Sequence, residues 1–152
     1  MSEDKKPTFN KRITYIALAL VILIIGAFGY TRFSQKEGEV IWVLNDLDRG
    51  LELGLKEEKI VLVYFYANWC EWCVKMDKEA FKDPKVAELI SKHFVAVKID
   101  IDVRRDLHDY YHITGVPTFI IFDKKGNFID KIEGYHKAKG FLALLEFYVE
   151  GG

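Results

Sequence analysis

The chain has 152 residues, 22 Lys or Arg against 23 Asp or Glu, and half of it is hydrophobic. That length holds one domain plus an appendage, and so balanced a charge gives no sign of a nucleic-acid partner. Two cysteines among three Trp, eight Tyr and eleven Phe do not make a disulfide scaffold, because this apolar content builds a core without cross-links.

The first twelve residues carry Lys5, Lys6, Lys11 and Arg12 and read as a cytoplasmic N-terminus. Residues 13–30 (ITYIALALVILIIGAFGY) hold no charge. As a helix rising about 1.5 Å per residue they span roughly 27 Å, enough for a hydrocarbon core. With Arg32 and Phe33 at the far end, a transmembrane anchor over 13–33 is expected, and the excess of Lys and Arg before it keeps the N-terminus inside. A cleavable signal peptide is the rival reading, since Ala27-Phe28-Gly29 resembles a small-x-small cleavage site, but the apolar stretch outruns a usual signal core. Either way the rest is exported to the periplasm or its extracytoplasmic equivalent. Residues 34–39 (SQKEGE) form a short polar linker, and 40–152 the domain, whose surface is mildly acidic.

Within the domain, residues 40–42 read as a short strand. Asn45 or Asp46 is placed to cap a helix whose Leu47, Leu51 and Leu55 share one face; Gly50 and Gly54 weaken it. Residues 60–66 (IVLVYFY) are apolar on both faces, as a central strand requires. A helix is expected from Cys70 to about Phe81, with Val74, Met76 and Phe81 for packing, and a second starting at Asp83-Pro84 with Val86, Leu89 and Ile90 inward. Residues 94–100 are the next strand, and 104–112 a helix ended by Gly115-Val116-Pro117. Residues 118–123 and 128–133 flank Lys124-Lys125-Gly126-Asn127 as a β-hairpin. An amphipathic helix over 137–149, with Phe141, Leu142, Leu145 and Val149 along one side, closes the chain. This order predicts an α/β fold, a mixed central sheet flanked by helices.

The two cysteines, Cys70 and Cys73, fall where the central strand turns into a helix. Cys-x-x-Cys at such a hinge is a redox arrangement, because the helix N-terminus aims N–H groups and partial positive charge at the first sulfur and favours its thiolate. As a structural bond so short a loop would add only about 2 kcal/mol. Haem attachment lacks its histidine, and zinc would need two more ligands. His108 and His112 share a helical face without a carboxylate pattern, and Asp100, Asp102, Asp106 and Asp109 read as a solvated acidic loop and helix. Cu(I) on the two thiolates is the rival from another class.

The element order, with Trp-Cys-x-x-Cys after the central strand and Gly-Val-Pro-Thr before the hairpin, resembles the thioredoxin fold over residues 40–149. Tyr66-Ala67-Asn68-Trp69-Cys70, the helix through Cys73, Lys75, Asp77 and Phe81, and Asp83-Pro84-x-Val86 are similar to the C-terminal domain of the disulfide-interchange protein DsbD and to membrane-anchored thioredoxin-like proteins. The resemblance implies that Cys70 attacks and Cys73 resolves, that Val116-Pro117 is a cis peptide offering backbone to substrate, and that Lys98 lies beneath the site. It departs at Tyr64, where thioredoxins carry the buried aspartate that helps deprotonate the resolving cysteine. A phenol is a poor base near neutrality. Asp77, four residues after Cys73 on the same helical face, is the expected substitute, directly or through water.

Glu71 beside Cys70 opposes its thiolate and makes the dithiol more reducing. Trp69 and Trp72 are expected as an apolar rim for protein substrates. The resulting expectation is a thiol–disulfide oxidoreductase with no cofactor beyond its own disulfide, acting on protein disulfides or dithiols. The anchor helix contains no cysteine, so a reductase would need a separate membrane or periplasmic electron donor.

Overall fold

The computed structural model of the chain describes residues 20–21 and 39–151. The chain divides after Lys36, and the unit Glu37–Gly152 is described by itself. The anchor expected over 13–33 lies outside the described residues apart from Leu20 and Val21, as does the linker apart from Glu39.

In chain order the elements are β1 (Trp42–Leu44), α1 (Leu47–Glu57), β2 (Ile60–Tyr66), α2 (Glu71–Lys78), α3 (Pro84–His93), β3 (Phe94–Asp100), α4 (Arg105–Tyr110), β4 (Thr118–Phe122), β5 (Phe128–Glu133) and α5 (Ala138–Val149). The strands form one sheet in the order β1-β3-β2-β4-β5. β3 runs parallel to both β1 and β2, whereas β4 is antiparallel to β2 and to β5. The all-apolar β2 is the middle strand, and its alternation feeds two cores. Ile60, Leu62 and Tyr64 pack with Met76 of α2, Val86 and Ile90 of α3, and Phe141 and Leu145 of α5. Val61, Val63 and Phe65 face the other way, with Leu47 of α1 and Ile113 beyond α4. The result is a mixed sheet between two helical layers.

Local chemistry sets the helix starts. Asp46 accepts the Arg49 N–H at 2.9 Å at the head of α1. Asp83 accepts from Lys85 and Val86 at the head of α3, with Pro84 in the first turn, where its missing N–H costs nothing.

Several expectations shift. β1 starts at Trp42 rather than at Val40, because pairing with β3 begins at Trp42 opposite Ala96, while Val40 is buried ahead of the strand. Leu55 is exposed, and α1 instead buries Leu47, Gly50 and Gly54. A Cβ on Gly50 would stand 2.2 Å from Val97 Cγ2, and one on Gly54 2.4 Å from Val61 Cγ2. The two glycines that weakened the helix in sequence are thus what lets it lie close on the sheet. α2 stops at Lys78, and its Val74 is exposed while Met76 and Phe81 are buried. α4 covers only 105–110, since the chain turns out of it at His112, which adopts a positive φ.

Candidate active site

Cys70 occupies the N-cap of α2, and its sulfur takes the capping acceptor role, receiving the Cys73 N–H at 3.1 Å. A sulfur there is favoured as an anion, because a backbone donor and the helix dipole both address it. The pair is joined as a disulfide with Cα atoms 5.2 Å apart. Cys70 keeps 6% of its surface exposed and Cys73 only 1%. A substrate sulfur arriving from solvent therefore reaches Cys70 first.

The opposite wall is Val116-Pro117, a cis peptide. The Val116 carbonyl oxygen lies 3.3 Å from Cys70 Sγ, a contact that a protonated thiol would convert into a hydrogen bond. The turn is held by the buried Thr118, whose hydroxyl donates to the Gly115 carbonyl at 2.7 Å. The sheet brings this wall to the pair, since Thr118 stands opposite Phe65 in the β2–β4 register.

Beneath the pair, Tyr64 and Lys98 are neighbours across β2 and β3. The Tyr64 hydroxyl donates to the Cys73 carbonyl at 3.3 Å. Burial first, then the charges of Asp77 and Tyr66, push that hydroxyl's pKa above the ordinary phenol value, so Tyr64 stays neutral and serves as a donor. Lys98 Nζ binds both carboxylate oxygens of Asp77, at 2.9 and 2.8 Å. The same ammonium lies 4.4 Å from the ring centroid of Tyr66, 5.2 Å from Tyr64 and 5.8 Å from Trp42. The structure thus brings Asp77 and Lys98 together as an ion pair roofed by three aromatic rings, with Lys98 14% and Asp77 38% exposed.

The rim has two sides. Trp69 is 67% exposed and anchors its indole N–H on Asp102 at 2.9 Å. The neighbouring Asn68 donates to the buried Asp100 at 3.1 Å, and Asp100 in turn accepts the Asp102 N–H. Loop 67–70 is therefore tied to loop 100–102, which Asn45 braces by accepting the Asp100 N–H at 2.7 Å. Trp72 is 56% exposed, tilted against Tyr135 with Lys75 beside both rings, and Glu71 is exposed between the cysteines. Asn45, Asn68, Tyr135 and the tying roles of Asp100 and Asp102 were missed in sequence. Only the placement of Asn68 directly ahead of Trp69-Cys70 offered a signal, since the rest meet the site through pairings far apart in the chain. Among the described residues, no three of His, Cys, Asp and Glu gather as a metal cluster.

A family model for the thioredoxin-like domain matches residues 48–148. The chain belongs to the thioredoxin-like family. It is 25% identical to the thiol:disulfide interchange protein DsbD of Pseudoalteromonas atlantica, over 94% of this chain but 27% of that protein. The chain thus spans about a quarter of that relative's length. Among solved structures, a thioredoxin from Thermus thermophilus superposes with a TM-score of 0.65 and 26% identity, covering 75% of this chain and 91% of that one. A disulphide isomerase from Xylella fastidiosa Temecula1 does so at 0.60 and 27%, covering 68% and 88%. Thioredoxin-like redox proteins carry electrons on a cysteine pair rather than on a cofactor, and this member has its pair at Cys70 and Cys73. The domain is of the thiol–disulfide oxidoreductase type.

Proposed function

We propose that this thioredoxin-like protein is a membrane-anchored reductase that transfers electrons to disulfides of extracytoplasmic proteins. One observation carries the reading: Cys70 caps a helix N-terminus against the cis Val116-Pro117 wall and keeps a sliver of exposure, with Cys73 sealed behind it. In the reduced protein, Cys70 thiolate attacks one sulfur of a substrate disulfide. The substrate S–S bond breaks, a Cys70–substrate bond forms, and the departing substrate thiolate takes a proton. Cys73 then gives up its proton and attacks Cys70 Sγ, which forms the intramolecular disulfide and expels the second substrate thiolate. Two electrons and two protons pass to the substrate.

Asp77 is the proposed acceptor of the Cys73 proton, with Lys98 holding its carboxylate in place and Tyr64 fixing the Cys73 backbone. Val116 and Pro117 supply the backbone edge on which substrate lies, and Trp69, Glu71 and Trp72 form the rim. Glu71, which disfavours the thiolate, and the similarity to DsbD support the reducing direction. The uncharged stretch 13–30 supports the anchor and the export of the domain. Since that stretch holds no cysteine, a separate membrane or periplasmic carrier regenerates the dithiol.

The test is to label intact cells with a membrane-impermeant maleimide and follow the chain by mass. The proposal expects Cys70 to be labelled from outside, in a largely reduced pair that becomes oxidised once the membrane electron supply is blocked. A pair found oxidised at rest, with a strongly oxidising potential, would overturn the reducing direction. Labelling only after lysis would overturn the export.

A further inference from the structure

Residues 134–136, between β5 and α5, touch both halves of the active site. Gly134, at φ +91°, donates its N–H to the Pro117 carbonyl at 2.8 Å. The His136 N–H points at Met76 Sδ on α2 at 3.4 Å. Between them, Tyr135 lays its ring against Trp72, centroids 5.3 Å apart and planes at 38°, and its hydroxyl bonds the Glu79 carboxylate. Lys75 Nζ lies 5.3 Å from the Trp72 centroid and 4.9 Å from that of Tyr135. Trp72 and Lys75 of α2 and its C-cap residue Glu79 follow one another at spacings of three and four, so the Tyr135 ring runs along a single face of the helix.

We propose that Trp72 and Tyr135 form the substrate-selecting wall of this site, a surface for one apolar side chain next to the substrate's reacting cysteine. The inference rests on the disulfide exchange proposed above and adds to it which substrates the site prefers. Its first support is continuity. Trp72 sits between the two cysteines, and the Gly134–Pro117 bond fixes Tyr135 next to the wall that flanks Cys70. A chain whose sulfur reaches Cys70 along Val116-Pro117 brings its neighbouring side chain to these rings.

The second support is preorganisation. Tyr135 is held at its hydroxyl by Glu79 and through its neighbours by Pro117 and Met76, so little side-chain freedom is left to lose on binding. The third is charge. The Lys75 ammonium already occupies the pair, so a second cation would meet like charge within a few ångströms, whereas an apolar group only displaces water from the exposed Trp72. Trp69, across the site, has its indole N–H committed to Asp102.

The experiment measures kcat/KM of the full chain in detergent on two disulfide-linked peptides that differ only in Leu or Ser beside the cysteine, and on bis(2-hydroxyethyl) disulfide. The wild type should favour the Leu peptide by about tenfold, the scale of discrimination an apolar contact gives. Tyr135→Ala should abolish that preference, chiefly through a raised KM for the Leu peptide, while the ratio of kcat/KM between the Ser peptide and the small disulfide stays as in the wild type. Tyr135→Phe, which keeps the ring and drops the Glu79 bond, should retain it. An equal loss on all three substrates in Tyr135→Ala would place Tyr135 in the cysteine chemistry and overturn the inference. An unchanged Leu preference in that variant would overturn it too. A wild type that reduces none of the three would instead overturn the reductase reading on which the inference stands.

Discussion

The ion pair beneath the cysteines yields a prediction whose size follows from its geometry. Lys98 is held bidentately by Asp77 at 2.9 and 2.8 Å and faces three aromatic rings. Asp77→Asn strands the ammonium of a side chain only 14% exposed. Breaking a fully buried pair costs about 3–5 kcal/mol, but Asp77 is 38% exposed and water screens the pair, which brings the expected loss to about 2 kcal/mol. Lys98→Met keeps the buried stem and leaves a carboxylate that water can reach, at a cost of about 1 kcal/mol. Having no stranded charge, the double variant should also lose only about 1 kcal/mol, so the two changes couple by roughly 2 kcal/mol. Urea denaturation of the four oxidised proteins measures this directly. Asp77→Asn should also slow the second step, release of substrate by Cys73, on the order of tenfold to a hundredfold, with formation of the Cys70 mixed disulfide unchanged. Losses that simply add would refute the ion-pair reasoning, and a second step as fast as in the wild type would refute Asp77 as the proton acceptor.

Gly50→Ala drives a methyl to within 2.2 Å of Val97 Cγ2; urea denaturation should show a loss of about 1–3 kcal/mol, partly restored by Val97→Ala in the same chain. Burial lowers the pKa of His136 from its ordinary value, and its Nε2 is buried without a hydrogen-bond partner among the described residues. A base with a depressed folded pKa contributes stability that is present above the unfolded pKa, about 6.5, and lost as pH falls below it. Unfolding free energy should therefore decline from about pH 6.5 downwards, and His136→Leu should flatten that decline. Asp102→Ala frees the Trp69 indole N–H, so Trp69 emission should change while the Cys70–Cys73 potential stays within a few millivolts of wild type, roughly a tenth of the 30 mV that 1.4 kcal/mol would shift.

Legibility in the sequence followed the range of the interactions. β2, β3 and β5 were readable to the residue because burial on both faces, or a hairpin turn beside them, leaves a short-range pattern. Asp83 at the head of α3 was readable for the same reason, since a cap acts within three residues. The buried face of α1 was not, because what decides it is how near Val61 and Val97 stand to Gly50 and Gly54, on strands that follow later in the chain. In the site, Cys70, Cys73 and the cis Val116-Pro117 were carried by motif. That Lys98 would bind Asp77 under a roof of Trp42, Tyr64 and Tyr66 depends on four elements meeting, and no local pattern encodes it. Tyr135 was hidden likewise: in sequence it is a tyrosine after a strand, and only the sheet brings it beside Trp72.

The division of labour between the two cysteines is the centre of the account, and a Cys73→Ser trap tests it most directly. Cys73→Ser and Cys70→Ser chains are expressed in the native host, quenched in acid, alkylated and resolved without reductant. The account predicts that Cys73→Ser accumulates extracytoplasmic proteins disulfide-linked through Cys70, released by dithiothreitol, and that Cys70→Ser accumulates none. Adducts held equally by Cys73 in the Cys70→Ser chain, or none in either, would contradict it.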